Sequence, residues 1–201
     1  MFIEKPANKN SLKNRSLLFG VGVNDAHYLV TSKSKQKRVT CPFYRKWVDM
    51  LKRCYDPKYL NKNISYRDCY VCDDWLFFST FKSWMESQDW QGKQLDKDLL
   101  ISKNKIYSPL SCMFVSREVN SLITRPSCTF NLPIGVSYCI KRSKFMATCR
   151  YKGKSKYIGV YDNKNKAFQA YKEFKYKIIK ELALKQNEMV KNALLNFIIE
   201  E

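Results

Sequence analysis

Asp96, Lys97 and Asp98 carry the clearest chemical pattern in this chain. On a strand, successive side chains face opposite sides, so the two carboxylates share a face and Lys97 points away. Two carboxylates on one face suit a hard divalent cation such as Mg2+ or Mn2+, which takes oxygen donors and keeps several waters. Lys97 makes a poor general base, because an unperturbed lysine titrates at about 10.4 and acidic neighbours raise it further. His27, the only histidine, lies far upstream. The plainer reading leaves Asp96 and Asp98 as solvated charges at a strand end.

A second pattern is sulfur. Eight cysteines stand at positions 41, 54, 69, 72, 112, 128, 139 and 149. Cys69 and Cys72 have the spacing of a two-ligand zinc knuckle, and Cys54 or Cys41 with Cys112 would complete four sulfurs. Such Zn2+ would be closed and structural, stapling residues 55–72. In the alternative, Cys54 and Cys112 are small buried hydrophobes on their helix and strand. The start, Met1 to Phe19, has its apolar run broken by Asn8, Asn10, Lys13 and Asn14, which makes a poor signal peptide. A reducing cytoplasm is therefore expected rather than a disulfide framework.

The third pattern is charge. The 201 residues hold 37 Lys and Arg against 18 Asp and Glu, a net charge of +19. Such an excess calls for an anionic partner, and phosphate neutralisation supplies much of the binding energy of nucleic acid. A binder of the translation machinery or of acidic membranes fits the charge alone. No stretch has the run of about 18 apolar residues that spans a bilayer. Seven basic residues and no acidic one lie between Lys141 and Lys156. Alternation puts Phe145, Ala147, Cys149 and Tyr151 on one face of a strand, and Met146, Thr148, Arg150 and Lys152 on the other. A solvated basic hairpin is the bland reading of that segment.

Elements that would position these residues can be read from periodicity. Residues 1–19 read as a basic arm and 31–40 as a solvated loop. From Pro42 a helix places Phe43, Trp47, Met50, Leu51 and Cys54 on one stripe, and Asp56-Pro57 stops it. Residues 58–72 read as irregular. A second helix over about 74–88 buries Trp75, Phe78, Phe81, Trp84 and Met85. Residues 94–100 and 112–116 read as strands, and Ser116 opens a helix through about Leu122. Pro126, Ser127 and Pro133 mark a boundary within 124–134. Three strands follow at 135–140, 145–151 and 155–160, with turns at Lys141-Arg142-Ser143 and Lys152-Gly153-Lys154. Asp162 or Asn163 then caps a helix with Ala167, Ala170, Tyr171 and Phe174 on one face. The remaining 176–201 is helical, either extending that helix or folding back.

The stretches Leu95-Asp96-Lys97-Asp98, Tyr107-Ser108-Pro109 through Ser116, and Asn120 resemble the HNH (His-Me finger) family of phage homing endonucleases. Trp47 to Tyr55 and Val71 to Trp75 resemble the segment that precedes the motif in phage members, so the likeness covers about residues 42–123. The resemblance implies a ββα-metal module in which Asp96 and Asn120 hold one divalent ion beside the scissile phosphate. Lys97 stands where the family has its histidine base, and Ser111 where it has its middle asparagine. An active enzyme would use Asp98, His27 or metal-bound water as proton acceptor. A catalytically degenerate fold kept for DNA binding or regulation is the alternative.

Residues 135–175 resemble the AP2 family of DNA-binding domains. The matching pieces are Gly135-Val136-Ser137, Lys144 to Arg150, Tyr157 to Asp162 and Ala167 to Tyr171. The resemblance implies a three-stranded sheet on a helix, with Arg142, Thr148, Arg150 and Tyr157 at groove-contacting positions and Lys144, Lys152, Lys154 and Lys156 around them. Thr148 replaces the acidic residue of plant members, so no target site carries over. The expected fold is thus α+β: an arm at 1–40, an HNH-like module at 41–123, a linker at 124–134, an AP2-like domain at 135–175 and a helical extension at 176–201. The expected partner is double-stranded DNA, met in the cytoplasm of a phage-infected host. These readings require no membrane and no protein partner.

Overall fold

The computed structural model describes residues 2–34, 37–124 and 132–199. Pro126, Ser127 and Cys128 lie outside them, as does most of the expected linker. The fold is mixed α+β, with seven α-helices and nine strands among the described residues. The chain divides into two compact units, Met1–Phe114 and Val115–Glu201.

In the first unit, the arm is not free. It holds α1 (Lys9–Lys13), and Arg15 donates to the carbonyls of Asn24, Ala26 and Tyr28. The expected loop is an antiparallel hairpin of β1 (Thr31–Ser34) and β2 (Lys37–Thr40), in register Thr31 to Thr40. Backbone pairing needs no apolar alternation, so these polar strands left no periodic signal. In α2 (Pro42–Tyr55) proline occupies the first turn, where its missing N–H costs nothing. Trp47, Met50, Leu51 and Cys54 are buried on its stripe. Asp56 does more than stop α2: its side chain accepts from Lys58 N at 2.9 Å and starts α3 (Pro57–Lys62). The stretch expected to be irregular therefore holds α3, a 3-10 turn at Ile64–Tyr66 and β3 (Tyr70–Val71).

The second expected helix is broken. A 3-10 turn at Asp73–Leu76 precedes α4 (Phe78–Glu86), with Phe77 extended between them. Trp75, Phe78, Phe81 and Met85 are buried, and Trp84 packs on Trp75 with ring centroids 4.4 Å apart. These aromatics are core, as their helical spacing predicts. β4 (Gln94–Asp96) pairs with β6 (Met113–Val115), and β5 (Ile106–Tyr107) runs parallel to β3. The strand expected over 94–100 ends at Asp96. There the Asp96 carboxylate accepts from the N–H groups of Asp98 at 3.0 Å and Leu99 at 2.8 Å, a local turn that competes with the ladder.

The second unit opens with α5 (Arg117–Ile123), capped by Ser116, whose Oγ accepts from Val119 N at 3.2 Å. Strands β7 (Val136–Cys139), β8 (Lys144–Tyr151) and β9 (Lys154–Tyr161) form an antiparallel sheet in that order. Asn163 caps α6 (Lys164–Ala183), which packs along all three strands. Its most buried stripe is Ala167, Phe168, Tyr171 and Lys175, while Ala170 and Phe174 are half-buried. Gly135 has φ +79°, and a Cβ there would sit 2.3 Å from the Tyr171 ring, so the turn into β7 requires glycine. α6 extends past the expected end at 175, and α7 (Glu188–Leu195) then packs back on it. Ile199 N donates to Tyr176 Oη at 3.0 Å. No helix among the described residues is long and apolar enough to cross a membrane.

Candidate nucleic-acid interface and acidic centre

One face of the three-stranded sheet is covered by α6, and Ala147 and Cys149 are buried beneath it. The opposite face carries Met146, Thr148 and Arg150 from β8. Across the ladders stand Ser137 beside Met146, Tyr157 beside Thr148 and Ser155 beside Arg150. The register shifts at Ala147/Thr148: Gly159 opposes Ala147, yet Tyr157 opposes Thr148, leaving Ile158 as the extra residue. That bulge keeps Tyr157 on the open face with Thr148. Tyr157 is 61% exposed and Arg150 is exposed beside it.

The structure thus brings together Thr148, Arg150 and Tyr157, with Lys152 near Thr148 and Arg150, and it sets the remaining candidate contacts elsewhere. Arg142 is exposed in a 3-10 turn at Ile140–Arg142, before Ser143 at φ 49°. Lys144 is bonded to Asp162 at 2.9 Å, which holds that carboxyl below its usual range. Lys152 and Gly153, at φ 50° and 75°, form the tight β8–β9 turn. Lys152 Nζ lies 3.5 Å from Glu118. Lys154 and Lys156 oppose Tyr151 and Cys149, which places them on the helix-ward side of the edge strand, both exposed.

The acidic centre differs from its expected geometry. Lys97 does not point away from Asp98, because strand alternation ends at Asp96. It is only 5% exposed, and its Nζ donates to Asp98 Oδ1 at 2.7 Å and to Asn104 O at 2.5 Å. The Asn104 amide returns bonds to Lys97 O at 2.9 Å and Ile106 O at 2.6 Å. Burial alone would lower the Lys97 pKa, but the hydrogen bond and charge of Asp98 outweigh it and hold the ammonium above its ordinary value. Lys97 is thus engaged in an ion pair with Asp98 rather than facing away from it. Burial raises the Asp96 carboxyl, against the two backbone N–H groups it accepts. Ser111 is buried and donates to Ile106 O at 2.8 Å. His27 is exposed, with its ring edge-on to Tyr28. Asp96 belongs to the first unit and Asn120, in α5, to the second. The oxygen chemistry of Asp96 suits a hard cation. Among the described residues, no group of three or more His, Cys, Asp or Glu is placed to hold a metal.

Cys54, Cys69 and Cys112 are buried and Cys72 is half-buried. Burial pushes the Cys54 and Cys112 thiols up to about 12, and raises those of Cys69 and Cys72. Cys69 and Cys72 flank β3. Its parallel pairing with β5, Tyr70 to Ile106 and Val71 to Tyr107, staples this segment through the backbone.

Sequence reasoning missed a polar cluster in the second unit. Tyr151 Oη donates to Glu118 Oε1 at 2.6 Å, a bond that lowers the Glu118 pKa and raises that of Tyr151 to about 12. Beside it lies a cavity of about 950 Å3 between α5, the β8–β9 turn and α6. Lys175 lines it and is 5% exposed, with Nζ donating to Tyr171 Oη at 3.1 Å. One signal was legible: Lys175 falls four residues after Tyr171 and four before Ile179, on the buried stripe of α6. Set against family models, curated proteins and solved structures, the chain matches none of them.

Proposed function

We propose that the chain binds double-stranded DNA through the open face of its three-stranded sheet and cleaves it as a metal-dependent endonuclease of the phage HNH type. The observation that carries the DNA-binding half is the Thr148–Tyr157 cross-strand pair beside Arg150, on a face that α6 leaves uncovered. A sheet face can enter the major groove much as a β-ribbon does, where arginine reads guanine and apolar groups meet the thymine methyl. The order of a three-stranded sheet and a long helix supports the AP2-like reading, and the net charge of +19 supplies the non-specific attraction.

For cleavage, Asp96 would offer oxygen donors to one Mg2+ or Mn2+, which would supply charge stabilisation at the phosphate. Lys97 fixes the Asp98 carboxylate by its ammonium and anchors the turn through Asn104. This positioning role replaces the general-base role its place in the motif suggests. One observation favours a second reading, a DNA-binding protein that does not cut: the residue at the base position is a buried, ion-paired lysine.

Incubating the purified protein with phage and host DNA plus Mg2+ or Mn2+, then mapping the ends, tests the proposal. Metal-dependent ends that disappear with Asp96→Asn support it. Salt-sensitive binding without ends favours the non-cutting reading, and tighter binding to structured RNA than to duplex DNA would falsify both.

A further inference from the structure

We propose that the cavity between α5, the β8–β9 turn and α6 binds a nucleoside phosphate, at a place that shares Thr148, Arg150 and Ser155 with the open sheet face. It lies wholly within the second unit, and its volume of about 950 Å3 falls in the range of small-molecule sites.

Strand pairing explains why a cavity exists there. β7 pairs with β8 only from Cys139/Lys144 to Val136/Ala147, and Thr148 N donates to Gly135 O just beyond. Past that point the edge of β8 faces α5 rather than another strand among the described residues. Cys149, Arg150 and Tyr151 therefore all line the cavity, although their side chains alternate. Thr148 and Ser155, which the open sheet face also carries, line it too, whereas Tyr157 on β9 does not.

The lining has two chemical halves. Four cationic residues, Arg117, Arg150, Lys152 and Lys175, stand against one acid, Glu118. That acid already accepts from Tyr151 and pairs with Lys152, so the surplus positive charge favours an anion. Lys175 is the buried member, and charged groups in such settings make strong, directed bonds to phosphate oxygens. The other half is apolar and aromatic: Tyr171, Leu122 and Ile134, each buried, form walls against which a flat ring would pack. A phosphate joined to a planar ring satisfies both halves. It could be a free mononucleotide or the phosphorylated end of a strand, which present the same groups.

The test titrates the full chain with AMP, with inorganic phosphate, and with short oligonucleotides with and without a 5′-phosphate, all by calorimetry. Saturable AMP binding is expected, stronger than that of phosphate alone. Lys175→Met should weaken it by at least about tenfold, the loss of one charged hydrogen bond. Because a change at a buried lysine can disturb folding, Ser121→Phe supplies a second variant. Ser121 is an exposed residue of α5 that lines the cavity, and the larger side chain would fill it. Ser121→Phe should abolish AMP binding and leave the thermal unfolding midpoint unchanged. Tighter binding of the 5′-phosphorylated oligonucleotide than of AMP, lost in Ser121→Phe, identifies the strand end as source. Equal binding of both oligonucleotides, with AMP retained, identifies the free nucleotide. No AMP binding up to about 10 mM, or undiminished binding in both folded variants, overturns the proposal.

Discussion

Asp96 and Lys97 are adjacent, partly or wholly buried, and shifted upward for different reasons. Burial raises the Asp96 carboxyl, so its charged form is costly at neutral pH. The stability linked to that shift is full below the ordinary carboxylate pKa and is lost as pH rises through the raised value. Asp96→Asn keeps an oxygen to accept from Asp98 and Leu99 N–H, yet carries no charge. It should leave the thermal midpoint at pH 7 unchanged or higher, leave DNA affinity unchanged, and eliminate the proposed metal-dependent cleavage; persistent cleavage would remove Asp96 from the proposed metal site. Lys97 has the opposite consequence, because its protonated form is the stabilised one. Its contribution holds through neutral pH and is lost only as pH rises through a value above the ordinary lysine range. Lys97→Met leaves Asp98 and Asn104 O without their ammonium and should cost about 1–3 kcal/mol, read by urea unfolding at pH 7. An unchanged unfolding midpoint would show that this ion pair is incidental. The identities of these residues were legible in the sequence, but their directions were not. Alternation predicts directions only while the strand continues, and the Asp96 side chain itself ends the strand.

At the scale of elements, helices with strong apolar stripes were legible: α2 through Trp47, Met50 and Leu51, and α4 through Phe78, Phe81 and Met85. The β1–β2 hairpin and α3 were not, because short polar elements are held by backbone bonds and caps that leave no apolar period. The β7–β8–β9 sheet was legible because its turns and its buried Ala147 and Cys149 agree. Its β8–β9 turn carries a lysine in a left-handed conformation that Asn tolerates better, ahead of Gly153. Lys152→Asn should therefore stabilise the unit by about 0.5–1 kcal/mol in thermal unfolding, less whatever the Glu118 ion pair contributes. A lower midpoint would show that the pairing with Glu118 outweighs turn geometry. Gly135→Ala should do the reverse, costing about 1–3 kcal/mol or more, since its Cβ would meet the Tyr171 ring. Wild-type stability in Gly135→Ala would mean that Tyr171 moves aside freely.

Over the whole molecule, the charge of +19 predicts that the logarithm of DNA affinity falls linearly with the logarithm of salt concentration. A flat dependence between low and moderate salt would contradict a phosphate-driven interface. Arg150→Ala should cost about 1–3 kcal/mol of discrimination between preferred and random sites. Equal weakening on both would show that Arg150 touches only phosphate. Composition marks a break at Pro126 and Ser127, but the bond from Tyr151 to Glu118 spans 33 residues and leaves no mark in the sequence. That bond decides how such a chain can be shuffled. A chimera joined at the Pro-rich break would part Glu118 from Tyr151 and expose the hairpin side of α5. One joined between Phe114 and Val115 would move α5 and Asn120 together with the sheet. Exchange of one second unit for another is thus cleanest just ahead of the Ser116 cap, and any such exchange passes Asn120 on as part of the inheritance.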